Sequence, residues 1–255
     1  LYYLQSRYYD PVTGRFVNAD GFTSTGQGLM GNNMFAYCNN NPVMYVDPTG
    51  VYAQRIAELQ QFINAFRNSI IAGEEPIGTP SDVLRSIREI NRLTEAMLND
   101  AGFSNVTEET ANELGYVLRI YEINSPEKIC HFLAQCAYET NYGMWLTEYG
   151  SYDYFAGKAY GYKYRGSGYI QLTWDYNYKA FSESVGDPQI YAQGADYVAS
   201  NYAWTAAGWF WSNNNINAKI ANGATVRDVT RIVRGSTNSW EGRQGYYNKF
   251  IGMFG

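Results

Sequence analysis

From Val51 onward the apolar positions recur at helical spacing. The run VYAQRIAELQQFINAFRNSI puts Ile56, Leu59, Phe62, Ile63 and Phe66 on one stripe, which predicts an amphipathic helix. GEEPIGTPSD interrupts it with two prolines and two glycines, so residues 73–81 read as a break. Ser81 is placed to cap a second helix, along which Leu84, Ile87, Ile90, Leu93 and Met97 keep the period. A third helix is expected over 108–121 and a fourth over 126–140, where Pro126 follows Ser125 in a good N-terminal signature. Further helices are expected over 175–184, 195–213, 225–234 and 239–253. The Tyr-, Gly- and Lys-rich residues 152–172 suit a small hairpin.

Residues 1–50 have another rhythm. A Tyr-rich extended run is followed by a turn at Asp10-Pro11-Val12-Thr13-Gly14 and a second extended run over 15–17. A second Asp-Pro-Thr-Gly turn closes the segment at 47–50. A β segment this short buries little of itself and fits the closing end of a larger β structure. The chain thus divides into a β-rich segment at 1–50, a helical linker at 51–80 and a mainly α domain with a small β region at 81–255. It begins at Leu1 without methionine or leader, and reads as a processed piece or a part of something longer.

Composition narrows the chemistry. A net charge of −5 argues against nucleic acid as the partner, because a polyanion needs a basic face. Tyrosine is frequent, at 25, and only 17 % of residues are charged, which fits a chain that meets sugars outside the cell. Cys130 and Cys136 lie six apart on one expected helix and face different ways, and Cys38 is left over. No disulfide framework and no CxxC metal site is expected. His131 is the single histidine, which argues against zinc sites built on histidine and against Ser-His-Asp or Cys-His triads; it reads as a satisfied helix residue. No run of about 18 apolar residues is present to span a membrane.

The candidate chemistry lies in HFLAQCAYETNYGMWLTEYGS and in YRGSGYIQLTWDYNY, within twenty residues of it. Glu139 and Glu148 stand nine positions apart, ahead of a polar and aromatic segment. Two carboxylates beside such a wall are the equipment for cutting a glycosidic bond: one protonates the departing oxygen, the other activates water or attacks the sugar. Glu139 ends a helix stretch in which Phe132, Leu133, Cys136 and Ala137 face a core. Helix C-termini favour cations, so a half-buried carboxylate there is expected to hold its proton, as suits an acid. Glu148, in the next loop, is expected to be better solvated and ionised. The spacing alone fits two solvated surface acids as well. Trp145 and the tyrosines of 149–169 fit sugar stacking and plain packing alike, whereas Trp204, Trp209, Phe210 and Trp211 read as core.

HFLAQCAYET, the second glutamate, YRGSGYIQLTWDYNY and the tail DVTRIVRGSTNSWEGRQGYYNKF together resemble family 19 glycoside hydrolases. These are chitinases and related phage-type endolysins with a lysozyme-like α fold, and the resemblance runs from about residue 85 to 253. It implies inverting hydrolysis of β-1,4 links between N-acetylated amino sugars, with Glu139 as acid, Glu148 as base and Thr173 holding the attacking water. A carboxyl separation of about 6.5–9.5 Å is then expected. Gln171, Tyr176 and Asn177 match substrate-contacting positions, and Trp174, Tyr164 and Arg234 join them as candidate contacts. No metal or organic cofactor is expected. The chain departs from the family pattern at Tyr138, where histidine usually precedes the acid, and at Ser167, where arginine is usual. Arg234 and Ser236 replace the Asn and a Gly of an NGG motif, leaving Asn238 as the nearest amide.

Residues 2–50 resemble the end of an Rhs/YD-repeat core, through YYDPVTGRF and NNNPVMYVDPTG. That implies a β-shell protein whose last segment precedes a variable effector, often a toxin. The family's PxxxxDPxGL self-cleavage motif would fall at Pro42, Asp47, Pro48 and Gly50, with Val51 where leucine is usual; a plain turn fits these residues equally. The two resemblances together point to a secreted toxin that cuts peptidoglycan at the wall of a target bacterium, with an immunity protein as a further expected partner. A chitinase and a non-catalytic wall-binding module are the alternatives.

Overall fold

The structure, a computed structural model, describes residues 2–4, 7–10, 15–16 and 52–254, with side chains from Ile56 onward. The chain divides into two compact units, Leu1–Val51 and Tyr52–Gly255. The described part of the first is an antiparallel sheet of β1 (Tyr2–Leu4), β2 (Arg7–Asp10) and β3 (Arg15–Phe16). The Tyr-rich run folds back on itself, with Leu4 opposite Arg7, and Asp10 then pairs with Arg15. The turn residues 11–14, Cys38 and the motif from Pro42 to Val51 lie outside the described residues.

The second unit is helical. It opens with α1 (Tyr52–Ala72), α2 (Pro80–Ala101), α3 (Glu108–Ile120) and α4 (Pro126–Thr140). The stripe on α1 is real: Ile56, Leu59, Ile63 and Phe66 are buried, and the helix packs on α2 and α4. The segment expected as a linker therefore includes a helix packed on its neighbours. The cap of α2 is Thr79 rather than Ser81. Asp82 N–H donates to Thr79 Oγ1 at 3.3 Å, Thr79 N–H donates back to Asp82 Oδ2 at 2.9 Å, and Pro80 takes the first helical position, where its missing N–H costs nothing. Leu84, expected on the buried stripe, is exposed because it lies near the start of α2, ahead of the packed part of the helix.

α4 runs through the core, buried from Ile129 to Ala137. The continuous helix expected over 195–213 is broken into α8 (Ala195–Asn201) and α9 (Ala203–Asn213), preceded by α6 (Asp175–Val185) and α7 (Pro188–Gln193). The break at Tyr202 frees the first N–H groups of α9. Glu113 of α3 satisfies them, accepting from Trp204 N–H at 3.1 Å, Thr205 N–H at 2.8 Å and Thr205 Oγ1 at 2.8 Å. Trp204, Trp209 and Trp211 are core, with Tyr169 stacked on Trp204 at 3.5 Å between centroids. Gly208 permits α9 to approach α3, since a Cβ there would lie 2.4 Å from Tyr121 Cδ2.

The hairpin expected over 152–172 is not formed. α5 (Tyr152–Ala156) starts the stretch, capped by Ser151 Oγ accepting from Tyr154 N–H at 3.2 Å, and only isolated bridges join Thr147, Ser167 and Leu172. A local side-chain cap outcompetes a ladder there. The body closes with α10 (Ile216–Ala221), α11 (Val226–Arg234) and α12 (Trp240–Phe254), the last packed along α4. Cys130 and Cys136 are buried free thiols. His131 is buried against Tyr247, but its Nδ1 has no hydrogen-bond partner, so it is not the satisfied residue expected. No described helix is long and apolar enough to cross a membrane.

Candidate active site

Glu139 sits in the last turn of α4, where the helix dipole opposes its charge. The fold answers with Arg243 of α12, whose Nη2 donates to Glu139 Oε1 at 2.6 Å. Arg243 is fully buried and Glu139 keeps 18 % of its side chain exposed, so the arginine anchors an acid that still reaches solvent. The other fork nitrogen, Nη1, donates to Gln135 Oε1 at 2.7 Å, and Gln135 is one helical turn before Glu139 on the same face. Gln135 Nε2 in turn donates to Thr230 Oγ1 of α11 at 3.4 Å. The Tyr138 ring lies under the guanidinium at 4.6 Å. Gly242 lets α12 come this close, because a Cβ there would meet Tyr138 Cε2 at 2.5 Å.

Glu148 is held by a different set of donors. After α4 the chain turns through three residues with positive φ, Asn141, Tyr142 and Gly143, and then runs beside 166–168. Glu148 N–H donates to Gly166 O at 2.8 Å, and Gly168 N–H donates to Leu146 O at 2.8 Å. Its carboxylate accepts from Tyr160 Oη at 2.9 Å and from Gly166 N–H at 3.2 Å. Burial and the neighbouring carboxylate push the Tyr160 phenol up to about 12, so it stays a donor at neutral pH. A side chain at Gly166 would displace the Gln171 amide, because a Cβ there would lie 2.7 Å from Gln171 Oε1.

Both carboxylates line one cleft of about 520 Å³, together with Gln171, Thr173, Trp174, Asn177 and Arg234. Thr173 Oγ1 donates to Gln171 O at 2.8 Å, which leaves its lone pairs available as acceptors. Gln171 and Trp174 both have positive φ, 54° and 82°, an uncommon strain that fixes where their side chains point. Asn177 Nδ2 braces the turn by donating to Thr173 O at 2.8 Å. Two candidates stand outside this lining. Tyr176 is exposed and stacks on Trp174, and Tyr164 stacks on Tyr191 with its hydroxyl bonded to Tyr191 O at 3.3 Å. Phe210, expected in the core, lines the cleft instead. Tyr160 and Arg243 do not stand out in the sequence, because each acts through a contact that no local pattern announces. Among the described residues no cluster of metal-ligating side chains occurs.

Sequence and fold comparisons agree on the helical body. Chitinase C of Streptomyces griseus superposes with a TM-score of 0.52 at 21 % identity, over 63 % of this chain and 91 % of that one. A bacterial family 19 chitinase gives 0.51 at 22 % identity, over 63 % and 94 %. The helical body has the lysozyme-like fold of family 19 chitinases. Endochitinase A of Zea mays is 28 % identical over 145 residues, 51 % of this chain and 50 % of that protein. Endochitinase B of the same plant is 25 % identical over 146 residues. The chain spans about half the length of these curated relatives. The tRNA nuclease WapA of Bacillus subtilis is 48 % identical over 50 residues, 20 % of this chain and 2 % of that protein. No protein-family model matches the chain.

Within the chitinase-like body the departures from the family pattern have visible places. Tyr138 supplies the face under Arg243. Ser167 is buried, its Oγ donating to Ala195 O at 2.6 Å, and it stays out of the cleft lining. Arg234 is in that lining, at the end of α11.

Proposed function

We propose that this protein is an inverting glycoside hydrolase that cuts β-1,4 bonds between N-acetylated amino sugars. The observation that carries the proposal is the pair Glu139 and Glu148 on one cleft, each held by its own donors. Arg243 occupies Oε1 of Glu139, leaving Oε2 to carry the proton given to the glycosidic oxygen. Once the proton has left, the guanidinium stabilises the new carboxylate. Glu148, oriented by Tyr160 and Gly166, takes a proton from water on the opposite face of the sugar. Thr173 accepts the other hydrogen of that water and aims its lone pair at the sugar carbon. Trp174 offers a ring for an apolar sugar face, Gln171 and Asn177 address hydroxyls and amides, and Arg234 adds a cationic contact to the substrate. No metal or organic cofactor enters this scheme.

The substrate we propose is peptidoglycan. The motifs YYDPVTGRF and NNNPVMYVDPTG carry the reading of residues 1–50 as an Rhs-type segment, preceding an effector at 81–255 that is secreted and acts on the wall of a target bacterium. An immunity protein that plugs the cleft belongs to the same proposal. Chitin is the second substrate, favoured by the endochitinase relatives. Mass analysis of the fragments released from purified peptidoglycan and from chitin oligomers separates the two. Muropeptide fragments are expected; chitin fragments alone would replace the proposed substrate, and no fragments from either would end the hydrolase proposal.

A further inference from the structure

We propose that Arg227, Arg231 and Arg234 form a carboxylate-binding strip that takes the acidic stem peptide of a peptidoglycan strand seated in the cleft. The proposal rests on the glycan-hydrolase function above and names the feature of the substrate that this chain recognises. Arg234 is the last residue of α11 and lines the cleft with Glu139 and Glu148. Arg231 and Arg227 lie three and seven residues earlier, on the same helical face, and all three are exposed. The strip therefore leads away from the cleft for about 10 Å, the length of roughly three extended peptide residues.

A solvated, charge-balanced face does not account for it. Among the described residues none of the three arginines forms an ion pair. Asp228, the one acid on the helix, feels the charge of Arg231 and Arg227, but its Oδ2 is taken by Thr225 N–H at 3.0 Å and Thr225 Oγ1 at 2.6 Å, and a single acid leaves the three-arginine face net positive. Helix-dipole preference explains a cation at 231 and 234, in the last turn, but opposes one at 227, in the first. Arg227 lies over the Trp240 ring at 5.9 Å, which limits where its fork can go. A surplus of basic residues is no explanation either, since the chain carries a net charge of −5.

The chemistry selects the ligand. A guanidinium fork matches a carboxylate with two parallel hydrogen bonds. A chain of N-acetylglucosamine carries no carboxylate. A peptidoglycan strand carries one or more on every stem peptide, and each stem leaves the glycan at the lactyl group of alternate sugars. Arg234 at the cleft meets the start of the stem, and Arg231 and Arg227 meet its more distant residues.

The test compares kcat/KM of the full chain on peptidoglycan strands with intact stems and on the same strands stripped of stems by an amidase, which leaves a lactyl carboxylate for Arg234 but nothing for Arg231 and Arg227. Wild type is expected to prefer the stem-bearing strands by about tenfold at low salt, and less at about 0.5 M salt. In the R227Q/R231Q variant the ratio of the two values is expected to fall at least about fivefold. Equal values for wild type, or an unchanged ratio in the variant, would overturn the strip. If the double variant does not fold, R227Q alone supplies the ratio. If neither strand is cut, the peptidoglycan substrate fails by itself, and titration of Glu139→Gln protein with muramyl dipeptide against N-acetylglucosamine dimer still decides the strip. Tighter, salt-sensitive binding of the dipeptide supports it, and equal binding removes it.

Discussion

Arg243 Nη2 donates to Glu139 Oε1 at 2.6 Å, joining side chains 104 positions apart in the sequence. The same guanidinium holds Gln135, so two successive turns of α4 are pinned by one buried cation. Arg243→Lys keeps the charge but cannot span both acceptors. We expect kcat to fall by about 100-fold, with loss of roughly 3 kcal/mol of stability as one buried partner is left unmatched. Activity assays with thermal melts check this; full kcat in the lysine variant would show that the fork geometry is irrelevant.

Tyr160→Phe removes one hydrogen bond to the Glu148 carboxylate while keeping the ring against Trp174. About a tenfold loss in kcat is expected, with glycan binding by the variant close to wild type. Steady-state kinetics and a binding titration separate the two effects. A large loss of binding with kcat intact would place Tyr160 in the sugar contacts rather than behind the base.

Gly166→Ala adds a Cβ that would lie 2.7 Å from Gln171 Oε1. The side chain of Gln171 is already fixed, donating to Gly168 O at 3.1 Å and to Trp145 O at 3.3 Å. Relief requires the Gln171 amide to give up these bonds or the cleft wall to shift, so activity should drop more than stability. We expect at least about a tenfold loss in kcat/KM with a shift in stability of about 1–2 kcal/mol. An active, unshifted variant would mean that the cleft wall yields freely.

His131 contributes to the pH dependence of stability. Burial lowers its pKa from 6.5 to about 4 in the folded chain. The unfolded chain therefore takes up a proton first as pH falls, and stability declines between about pH 6.5 and 4, by up to roughly 3 kcal/mol. Above that window this residue contributes no slope. Denaturant unfolding at pH 7 and pH 4.5 on wild type and His131→Gln checks the sign: the variant should show the smaller decline. An equal decline would assign the acid sensitivity to other groups.

Much of the helical body is legible in the sequence, for reasons that are local. Ser125 followed by Pro126, and Thr225 paired with Asp228, announce helix starts because the capping bonds join residues three apart. The stripes of α1 and α2 announce burial because period and packing coincide. The break at Tyr202 is hidden, since it depends on Glu113, about ninety residues upstream. Glu139 and Glu148 stand out through their surroundings in the sequence, and the structure brings both to one cleft. Arg243 leaves only a faint signal, an arginine after Gly242 in a helix of otherwise Tyr- and Gly-rich residues, because the close approach it exploits is a tertiary fact. Phe210 is misread as core for a related reason: on a helix whose mean character is apolar, nothing in the period distinguishes the cleft wall from the interior.

The central claim is that Glu139 and Glu148 together break a glycosidic bond. Release of reducing ends from peptidoglycan by wild type, Glu139→Gln and Glu148→Gln, each verified as folded by circular dichroism, measures it directly. The account predicts release by wild type and at least about a 1,000-fold loss in either variant, with glycan binding retained. Wild-type rates in a folded Glu139→Gln protein would contradict it.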